Sequence, residues 1–253
     1  MKIVAIIPAR YASTRFPGKP LVDIAGKSMI QRVAERVSAC KGLIAVLVAT
    51  DDERIREHVE SLGYRAIMTG AHHVSGTDRC REALHLSGID ADAVINIQGD
   101  EPFVEQAQIE QLIELIAHPE AAIATLAKPI TSAVQLTDPS KVKVVLSKSG
   151  AALYFSRQPI PYRRDIPVAD WLNGQVYYKH LGLYAFRSAV LNEVCSLAPS
   201  PLELAESLEQ LRWLENGYAI QVGITTIETP AIDTPEDLAN VLSDIQDSGL
   251  HLT

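Results

Sequence analysis

Short apolar segments with the composition of β-strands alternate with amphipathic helical segments through the first half of this 253-residue chain. The strand segments are rich in Val and Ile, and the segments between them repeat apolar residues three and four positions apart, as helices that pack on a sheet do. Parallel strands need crossover connections, usually helices, and these are almost always right-handed. The alternation therefore predicts an α/β fold with a mostly parallel, doubly wound sheet. The strands are predicted at residues 4–7, 44–49, 65–68 and 93–97, with the first helix at residues 28–40.

The second half of the chain departs from this alternation. After a strand predicted at residues 122–127, two strand segments flank the Ser-Gly pair at 149–150, which is the pattern of a hairpin. We expect an antiparallel excursion between about residues 130 and 190, a smaller subregion suited to a sheet edge or a subunit contact. The leucine spacing between residues 201 and 217 predicts one amphipathic helix. Residues 1–253 are expected to form a single domain that includes this subregion.

The composition excludes several classes of partner. The net charge of -8 and the sequence pI near 5.4 argue against nucleic acid, because proteins that bind it usually present a basic surface. No apolar run approaches the ~20 residues of a membrane span, and the first run is cut by Pro8 and Arg10 before a signal-peptide core could form. Cys40, Cys80 and Cys195 lack the spacing of a zinc site or a disulfide framework. We expect a cytoplasmic protein whose partners are small molecules, with neither nucleic acid nor membrane among them.

A cationic loop follows the first predicted strand. Arg10, Arg15 and Lys19 lie within ten residues of one another, between Pro8 and Pro20. In open α/β sheets ligands bind at the carboxyl ends of strands, and Arg forks together with a Lys charge match several phosphate oxygens at once. The loop therefore predicts a polyphosphate site. The alternative, a solvated basic surface loop, fits poorly with the acidic chain.

Two common nucleotide-binding motifs are missing from the sequence. No GxGxxG follows the first strand, and GxxxxGK[ST] occurs nowhere in the chain. Dinucleotide oxidoreductases and P-loop ATPases are therefore disfavoured, and the loop is expected to hold phosphates by its cations.

Two aspartates are candidate metal ligands. Asp100 comes just after the fourth predicted strand, at the same sheet edge as the cationic loop if the sheet is parallel. A carboxylate there would repel phosphates unless a cation lay between them, which indicates Mg²⁺ held by Asp100 and phosphate oxygens. Asp233 is the natural second ligand, although its DTPED context is equally that of a helix N-cap. From the residues alone, Asp233 is either a ligand or a cap.

The loop before the third predicted helix carries small polar groups. His72, His73, Ser75, Gly76 and Thr77 could contact a base or ribose through hydroxyls and main chain. Ser75 or Thr77 could equally serve only as a helix cap.

The irregular region and the late helix hold weaker candidates. Arg157 and His180 could receive an acidic substrate, yet lone residues of these types are more often surface groups or satisfied core groups. For Tyr184, Glu209 and Gln210, the pattern alone predicts only packing and helix solvation.

Taken together and in order, the motifs resemble those of the 3-deoxy-D-manno-octulosonate (Kdo) cytidylyltransferase family over nearly the whole chain. The segments that carry the resemblance are IIPARYASTRFPGKPL, HHVSGTDR, NIQGDEP, KVKVV, ALYFSRQPIP, KHLGLYAF, SPLELAESLEQLRWLENG and IDTPEDL. The resemblance implies a Rossmann-like nucleotidyltransferase fold, a homodimer, and transfer of CMP from CTP to Kdo with release of pyrophosphate. This step supplies the inner core of lipopolysaccharide.

The resemblance also implies roles for individual residues. The triphosphate loop would comprise Arg10, Ser13, Arg15 and Lys19, with Lys19 and Arg10 stabilising charge on the α-phosphate and the leaving pyrophosphate. Asp100, the third catalytic residue, would bind the metal together with Asp233. The residues implied on the substrate side are Ser75, Gly76, Thr77 and Arg79 for the nucleoside, Gln98 at the junction of metal and sugar, and Arg157, His180, Tyr184, Glu209 and Gln210 for the sugar acid.

Two mild departures from the family pattern bear on which sugar acid is the substrate, and they leave the expected cytidylyl transfer unchanged. Asp78 stands where the family more often has Glu in SGTER, and residues 204–207 differ within the SPLE segment. An amino analogue of Kdo is therefore an alternative sugar. Two further alternatives are a CMP-sialate synthetase, which the SPLELAESLEQLR and YFSRQPIP segments disfavour, and a CTP sensor without turnover, which would not need the metal pair.

Overall fold

The computed structural model describes residues 1–12, 15–227, 229–230 and 232–248. Its strands, in chain order, are β1 (Ile3–Ala9), β2 (Asp23–Ile24), β3 (Lys27–Ser28), β4 (Leu43–Thr50), β5 (Arg65–Met68), β6 (Ala93–Asn96), β7 (Ile123–Pro129), β8 (Lys143–Leu146), β9 (Ala152–Ser156), β10 (Tyr178–Arg187) and β11 (Ile220–Ile224). Its α-helices are α1 (Met29–Ser38), α2 (Glu53–Ser61), α3 (Gly76–Ser87), α4 (Gln106–Ala117), α5 (Ala133–Thr137), α6 (Ser188–Val194), α7 (Pro201–Glu206), α8 (Gln210–Glu215) and α9 (Pro235–Ser248).

Contacts divide the chain into two compact units. The first unit comprises Met1–Glu110 and Thr229–Thr253, and the second comprises Gln111–Glu228. The expectation that residues 1–253 form a single domain stays a prediction.

The first unit contains a parallel sheet in the order β6-β1-β4-β5. Strand β1 lies at its centre, where Ile6 is opposite Leu47 on one side and Asn96 on the other. The side chains of residues 4–7 of this strand are fully buried, as expected for a strand covered on both faces. The predicted parallel sheet is therefore confirmed.

Local sequence sets the ends of the helices in this unit. Ser28 caps α1 by accepting a hydrogen bond from the Gln31 amide, and Ser75 caps α3 in the same way from Asp78. The α3 helix ends at Gly88, whose φ of 68° is the left-handed conformation typical of a terminating glycine.

The C-terminal segment returns to the first unit through apolar contacts. Ile232 and Val241 are buried in one cluster with Ile24, Met29 and Phe103. This packing places the segment that carries Asp233 beside the residues that follow β1 and β6.

The second unit is largely antiparallel. Strand β10 runs antiparallel to both β7 and β8, and β8 forms a hairpin with β9, while β7 and β11 are parallel. The predicted antiparallel excursion is therefore confirmed. No helix among the described ranges is long and apolar enough to cross a membrane.

The predicted single helix between residues 201 and 217 is wrong. Ser207 has a φ of 52°, which ends α7, and the chain resumes as α8 three residues later. Leu204 is 70% exposed whereas Leu208 and Leu211 are buried, so the leucines do not form one continuous face. Regular leucine spacing cannot reveal a left-handed residue between two short helices.

Candidate active site

A pocket with a cavity volume of about 250 Å³ lies at the carboxyl ends of β1 and β6. Arg10 follows β1 directly, and Gln98 to Asp100 follow β6 by one residue, so the parallel sheet brings these segments to one edge. Nine of the residues assigned to the site from sequence line this pocket: Arg10, Arg15, Lys19, Ser75, Gly76, Arg79, Gln98, Asp100 and Asp233. Ser13 lies outside the described residues.

Two carboxylates in this pocket converge on one ammonium group. The Lys19 Nζ atom lies 2.6 Å from an oxygen of Asp100 and 3.3 Å from an oxygen of Asp233. Arg15 adds a second cation at 3.4 Å from Asp233. The Lys19 side chain is only 12% exposed, whereas those of Asp100 and Asp233 are 31% and 45% exposed. The carboxylates therefore keep an accessible side toward the pocket.

Backbone packing fixes the positions of these carboxylates. A Cβ atom on Gly99 would lie 2.7 Å from the carbonyl oxygen of Pro8, so only glycine allows the segment after β6 to approach β1 this closely. The Ile232 amide donates to the Asp100 carbonyl at 3.2 Å. The two aspartates thus lie on adjoining backbone segments.

The structure tests one of the two interpretations of Asp233, that of a helix cap. The cap of α9 is Thr234, whose hydroxyl accepts from the Asp237 amide at 3.2 Å, while the Asp237 carboxylate accepts from the Thr234 amide. The Asp233 side chain instead accepts from Lys19 and Arg15. Asp233 is not the helix cap, and its carboxylate belongs to the pocket.

The described ends of the cationic loop are held by a stack of side chains. The Gly18 amide donates to the Tyr11 carbonyl at 2.9 Å, and Gly18 (φ 74°) leaves room for the Tyr11 ring. The Arg54 guanidinium lies 3.4 Å from the centroid of that ring, a cation–π contact. Asp52 holds Arg54 with two hydrogen bonds, at 2.9 and 2.7 Å. Sequence reasoning missed this stack, because no local pattern links residues 11 and 54.

The loop before α3 reaches the pocket through residues 73–76. Ser75 both caps α3 and lines the pocket, so its two interpretations are compatible. Thr77 is buried and does not line the pocket. Arg79 is also almost fully buried, where it donates to the Thr69 hydroxyl at 2.7 Å and lies 3.5 Å from Asp51. Arg79 therefore ties the ends of β4 and β5 to α3.

The residues assigned to the sugar acid lie in the second unit. The guanidinium of Arg157 donates to the carbonyl oxygens of Glu206, Pro139 and Ser207 at 2.6, 3.1 and 3.2 Å. Lys143 is buried and donates to the Arg157 carbonyl. Three of the five N–H groups of the guanidinium are thus used by the described main chain, which leaves two for a ligand.

His180 and Tyr184 share an aromatic environment. His180 Nε2 lies 3.0 Å from the Thr125 hydroxyl, and its ring packs edge-on against Phe155. Burial lowers the pKa of His180 to about 3, so the imidazole is neutral near pH 7. The ring centroids of His180 and Tyr184 are 5.2 Å apart.

Two buried polar atoms beside this pair have no hydrogen-bond partner among the described residues. They are the hydroxyl of Tyr184 and the indole nitrogen of Trp213, whose rings meet edge-to-face with centroids 5.1 Å apart. Burial, together with the negative charge of Glu209, raises the pKa of Tyr184 well above its ordinary value, so the hydroxyl stays a donor.

Gln210 is buried at the start of α8. Buried donors without partners are costly unless a ligand or water satisfies them, so they mark a candidate polar site. Sequence reasoning did not single out Trp213, because a tryptophan within a leucine-rich helical segment gives no sign of an unpaired indole nitrogen.

The fold, with a cationic pocket at the carboxyl end of its parallel sheet, is that of the nucleotidyltransferase class. A solved structure of CMP:2-keto-3-deoxy-manno-octonic acid synthetase complexed with CTP aligns with a TM-score of 0.90 and 44% identity, covering 98% of this chain and 100% of the other. The 4-diphosphocytidyl-2C-methyl-D-erythritol synthase of Anaerococcus prevotii, at 15% identity and a TM-score of 0.62, covers 97% of this chain and 96% of its own, and shares the fold.

Sequence comparison narrows the class. The cytidylyltransferase family profile matches residues 4–224. A 3-deoxy-manno-octulosonate cytidylyltransferase of Phocaeicola vulgatus is 54% identical over 94% of this chain and 95% of its own length. An 8-amino-3,8-dideoxy-manno-octulosonate cytidylyltransferase of Shewanella amazonensis is 48% identical over 94% of this chain and 96% of its own. The chain belongs to the cytidylyltransferase family, among the octulosonate cytidylyltransferases.

Proposed function

We propose that this protein transfers CMP from CTP to the 2-hydroxyl of Kdo, giving CMP-Kdo and pyrophosphate for lipopolysaccharide biosynthesis. The observation that carries the proposal is the pocket in which Lys19 joins two carboxylates beside Arg10 and Arg15. Such a site suits a triphosphate whose α-phosphorus is attacked. The structural similarity to a synthetase complexed with CTP supports the same nucleotide.

The reaction is an in-line displacement at the α-phosphorus. The Kdo 2-hydroxyl oxygen forms the new P–O bond, the bond to the bridging oxygen of pyrophosphate breaks, and the hydroxyl proton passes to solvent. Lys19 and Arg10 stabilise the negative charge that develops on the α-phosphate and the leaving group. No protein base is needed in this scheme.

The donor set of the pocket fits Mg²⁺. Asp100 and Asp233 offer hard oxygen ligands that already converge on one cation, the Lys19 ammonium, and the phosphates supply further oxygens. Among the described residues, no group of three or more possible ligands is present, so a site made by the two aspartates and substrate is proposed. When bound, Mg²⁺ would neutralise phosphate charge and lower the pKa of the attacking hydroxyl.

We place the sugar acid at the residues of the second unit. Kdo brings a carboxylate and several hydroxyls, which suit the free N–H groups of Arg157, the buried hydroxyl of Tyr184 and neutral His180. Gln210 and Glu209 complete the proposed set of the second unit, and Gln98, which lines the pocket of the first unit, is proposed as a further substrate contact.

A homodimer in the cytoplasm is part of the proposal. Three large apolar side chains of the second unit, Val134, Leu153 and Tyr162, are 77%, 62% and 76% exposed, which suits a subunit contact. Light scattering coupled to size-exclusion chromatography would detect the dimer. A monomer at micromolar concentration would contradict it.

Pyrophosphate release tests the reaction. The purified protein should release pyrophosphate from CTP with Kdo, and less with sialate. The 8-amino analogue belongs in the panel because relatives at 48% and 47% identity carry that activity in their names. If the protein binds CTP but releases no pyrophosphate with any of these sugar acids, a CTP sensor would be favoured and the proposal contradicted.

A further inference from the structure

Glu82 on α3 is bound twice by the loop that precedes this helix. One of its carboxylate oxygens accepts from the Gly70 amide at 2.7 Å and lies 2.5 Å from Nε2 of His73. The His73 side chain is only 6% exposed. A single carboxylate therefore ties residues 70 and 73 to a helix that packs on the parallel sheet.

The contact between Glu82 and His73 joins an ionised carboxylate to a ring N–H group. Burial would raise the pKa of Glu82, but the hydrogen bonds from His73 and Gly70 together lower it. Glu82 is therefore ionised and can only accept, so Nε2 of His73 carries the hydrogen. A charge-assisted bond of this kind is stronger than one between neutral groups.

Packing inside the loop leaves it little freedom. The His72 ring occupies the space beside Gly70 that a Cβ atom would need, and the rings of His72 and His73 have centroids 4.4 Å apart. At the other end, Ser75 is fixed by its cap on the Asp78 amide. The segment from His73 to Gly76 is thus anchored at both ends, by Glu82 and by the start of α3.

This anchored segment, His73–Gly76, faces the nucleotide pocket. All four residues line it, and Val74 is 91% exposed. The segment presents hydroxyl and main-chain groups, whereas three cations of the same pocket belong to residues 10–19 and the fourth, Arg79, is held by Thr69 and Asp51. Neutral donors and acceptors match a base or a ribose better than a triphosphate.

We propose that Glu82 is a positioning residue which, through Gly70 and His73, holds segment His73–Gly76 in the conformation that binds the nucleoside of CTP. This inference rests on the proposed function, because it takes CTP as the occupant of the pocket. Glu82 itself does not line the pocket and acts only through the loop.

Calorimetric titration of the intact protein with CTP, without sugar, is the direct test. Glu82→Ala removes both contacts and should weaken CTP binding about 10- to 100-fold. Glu82→Gln should recover most of the affinity, because its single amide oxygen can still accept from both Gly70 and His73. In turnover, KM for CTP should rise while KM for Kdo and kcat at saturating CTP stay close to wild type.

A matched pair of histidine variants separates positioning from general destabilisation. His73→Phe keeps a ring but loses the bond to Glu82, and it should weaken CTP binding several-fold. His85→Phe makes the same change at an exposed position of α3 and should leave binding unchanged. If Glu82→Ala fails to fold, His73→Phe decides, because it leaves the bond between Glu82 and Gly70 intact.

The proposal is overturned if folded Glu82→Ala binds CTP as wild type does, or if His85→Phe weakens binding as much as His73→Phe. An equal rise of KM for Kdo would also contradict it. Wild-type protein that binds CTP but releases no pyrophosphate would contradict the proposed reaction alone. Wild-type protein that does not bind CTP would overturn both.

Discussion

The pocket of the first unit and the polar group of the second unit differ in charge and in burial. The first holds an ion cluster in which the carboxylates of Asp100 and Asp233 are partly exposed and Lys19 is mostly buried, with an exposed Arg10 beside it. The second holds a neutral His180 and the buried hydroxyl of Tyr184 among aromatic rings. Charge interactions are long-ranged and weakened by salt, whereas buried hydrogen bonds depend on geometry and on exclusion of water. Substitutions in the two regions should therefore have separable effects.

The largest effect is expected for Lys19→Ala. Lys19 contacts both aspartates and is the least exposed cation of the cluster, so it should act on charge that builds in the transition state. We expect kcat to fall by ~10² to 10³, with a smaller change in KM for Kdo. Steady-state kinetics would measure this, and Lys27→Ala, which removes a lysine paired with Glu35, is the matched control. If folded Lys19→Ala turns over like wild type, Lys19 has no catalytic role and only a structural one.

The next effect concerns the carboxylates. Asp100→Asn and Asp233→Asn should each raise the Mg²⁺ concentration for half-maximal activity by roughly tenfold or more, since each would remove a charged oxygen from the proposed Mg²⁺ site. Activity titrated against Mg²⁺ measures each variant separately. If the Mg²⁺ titration curve shifts for Asp100→Asn but not for Asp233→Asn, the proposed Mg²⁺ site would have Asp100 as its one carboxylate.

Arg157→Ala tests the division between the two regions. We expect KM for Kdo to rise by about tenfold or more, because the proposed charged donor to the sugar carboxylate would be lost, while calorimetric CTP affinity stays nearly unchanged. Arg157 also bonds three carbonyls, so thermal stability must be measured alongside. Arg164→Ala, whose side chain is 89% exposed, is the control. A parallel loss of CTP affinity would assign Arg157 to the nucleotide.

The last effect concerns stability rather than turnover, and it is a pH dependence that comes from His180. The folded protein keeps this imidazole neutral down to a pKa of about 3, whereas the unfolded chain protonates it at its ordinary pKa of about 6.5. The stability is therefore complete above about pH 6.5 and falls as the pH drops toward 3, by at most ~1.4 kcal/mol per pH unit. His180→Gln should flatten the change in unfolding free energy between pH 7 and 5, and His85→Gln should not. An unaltered slope in His180→Gln would show that His180 titrates normally.

Much of this protein could be predicted from the order of its residues. The alternation of strands and helices predicted the parallel sheet, and the Ser-Gly pair at 149–150 predicted the hairpin of β8 and β9. Because parallel strands share a carboxyl edge, the cationic loop and Asp100 could also be expected in one pocket. These features are local or follow from topology, so a single sequence is enough to show them.

Other features depend on contacts between residues far apart in the chain. The structure alone shows that Asp233 joins Lys19 while Thr234 caps the helix, and that Glu82 holds His73. It also reveals the left-handed Ser207 that divides a regular leucine pattern. Periodicity reports which face of an element is apolar, whereas the partner of a charged side chain is set by tertiary packing. The sequence therefore determines which reactive side chains this chain has, but the tertiary structure decides which of them lie together.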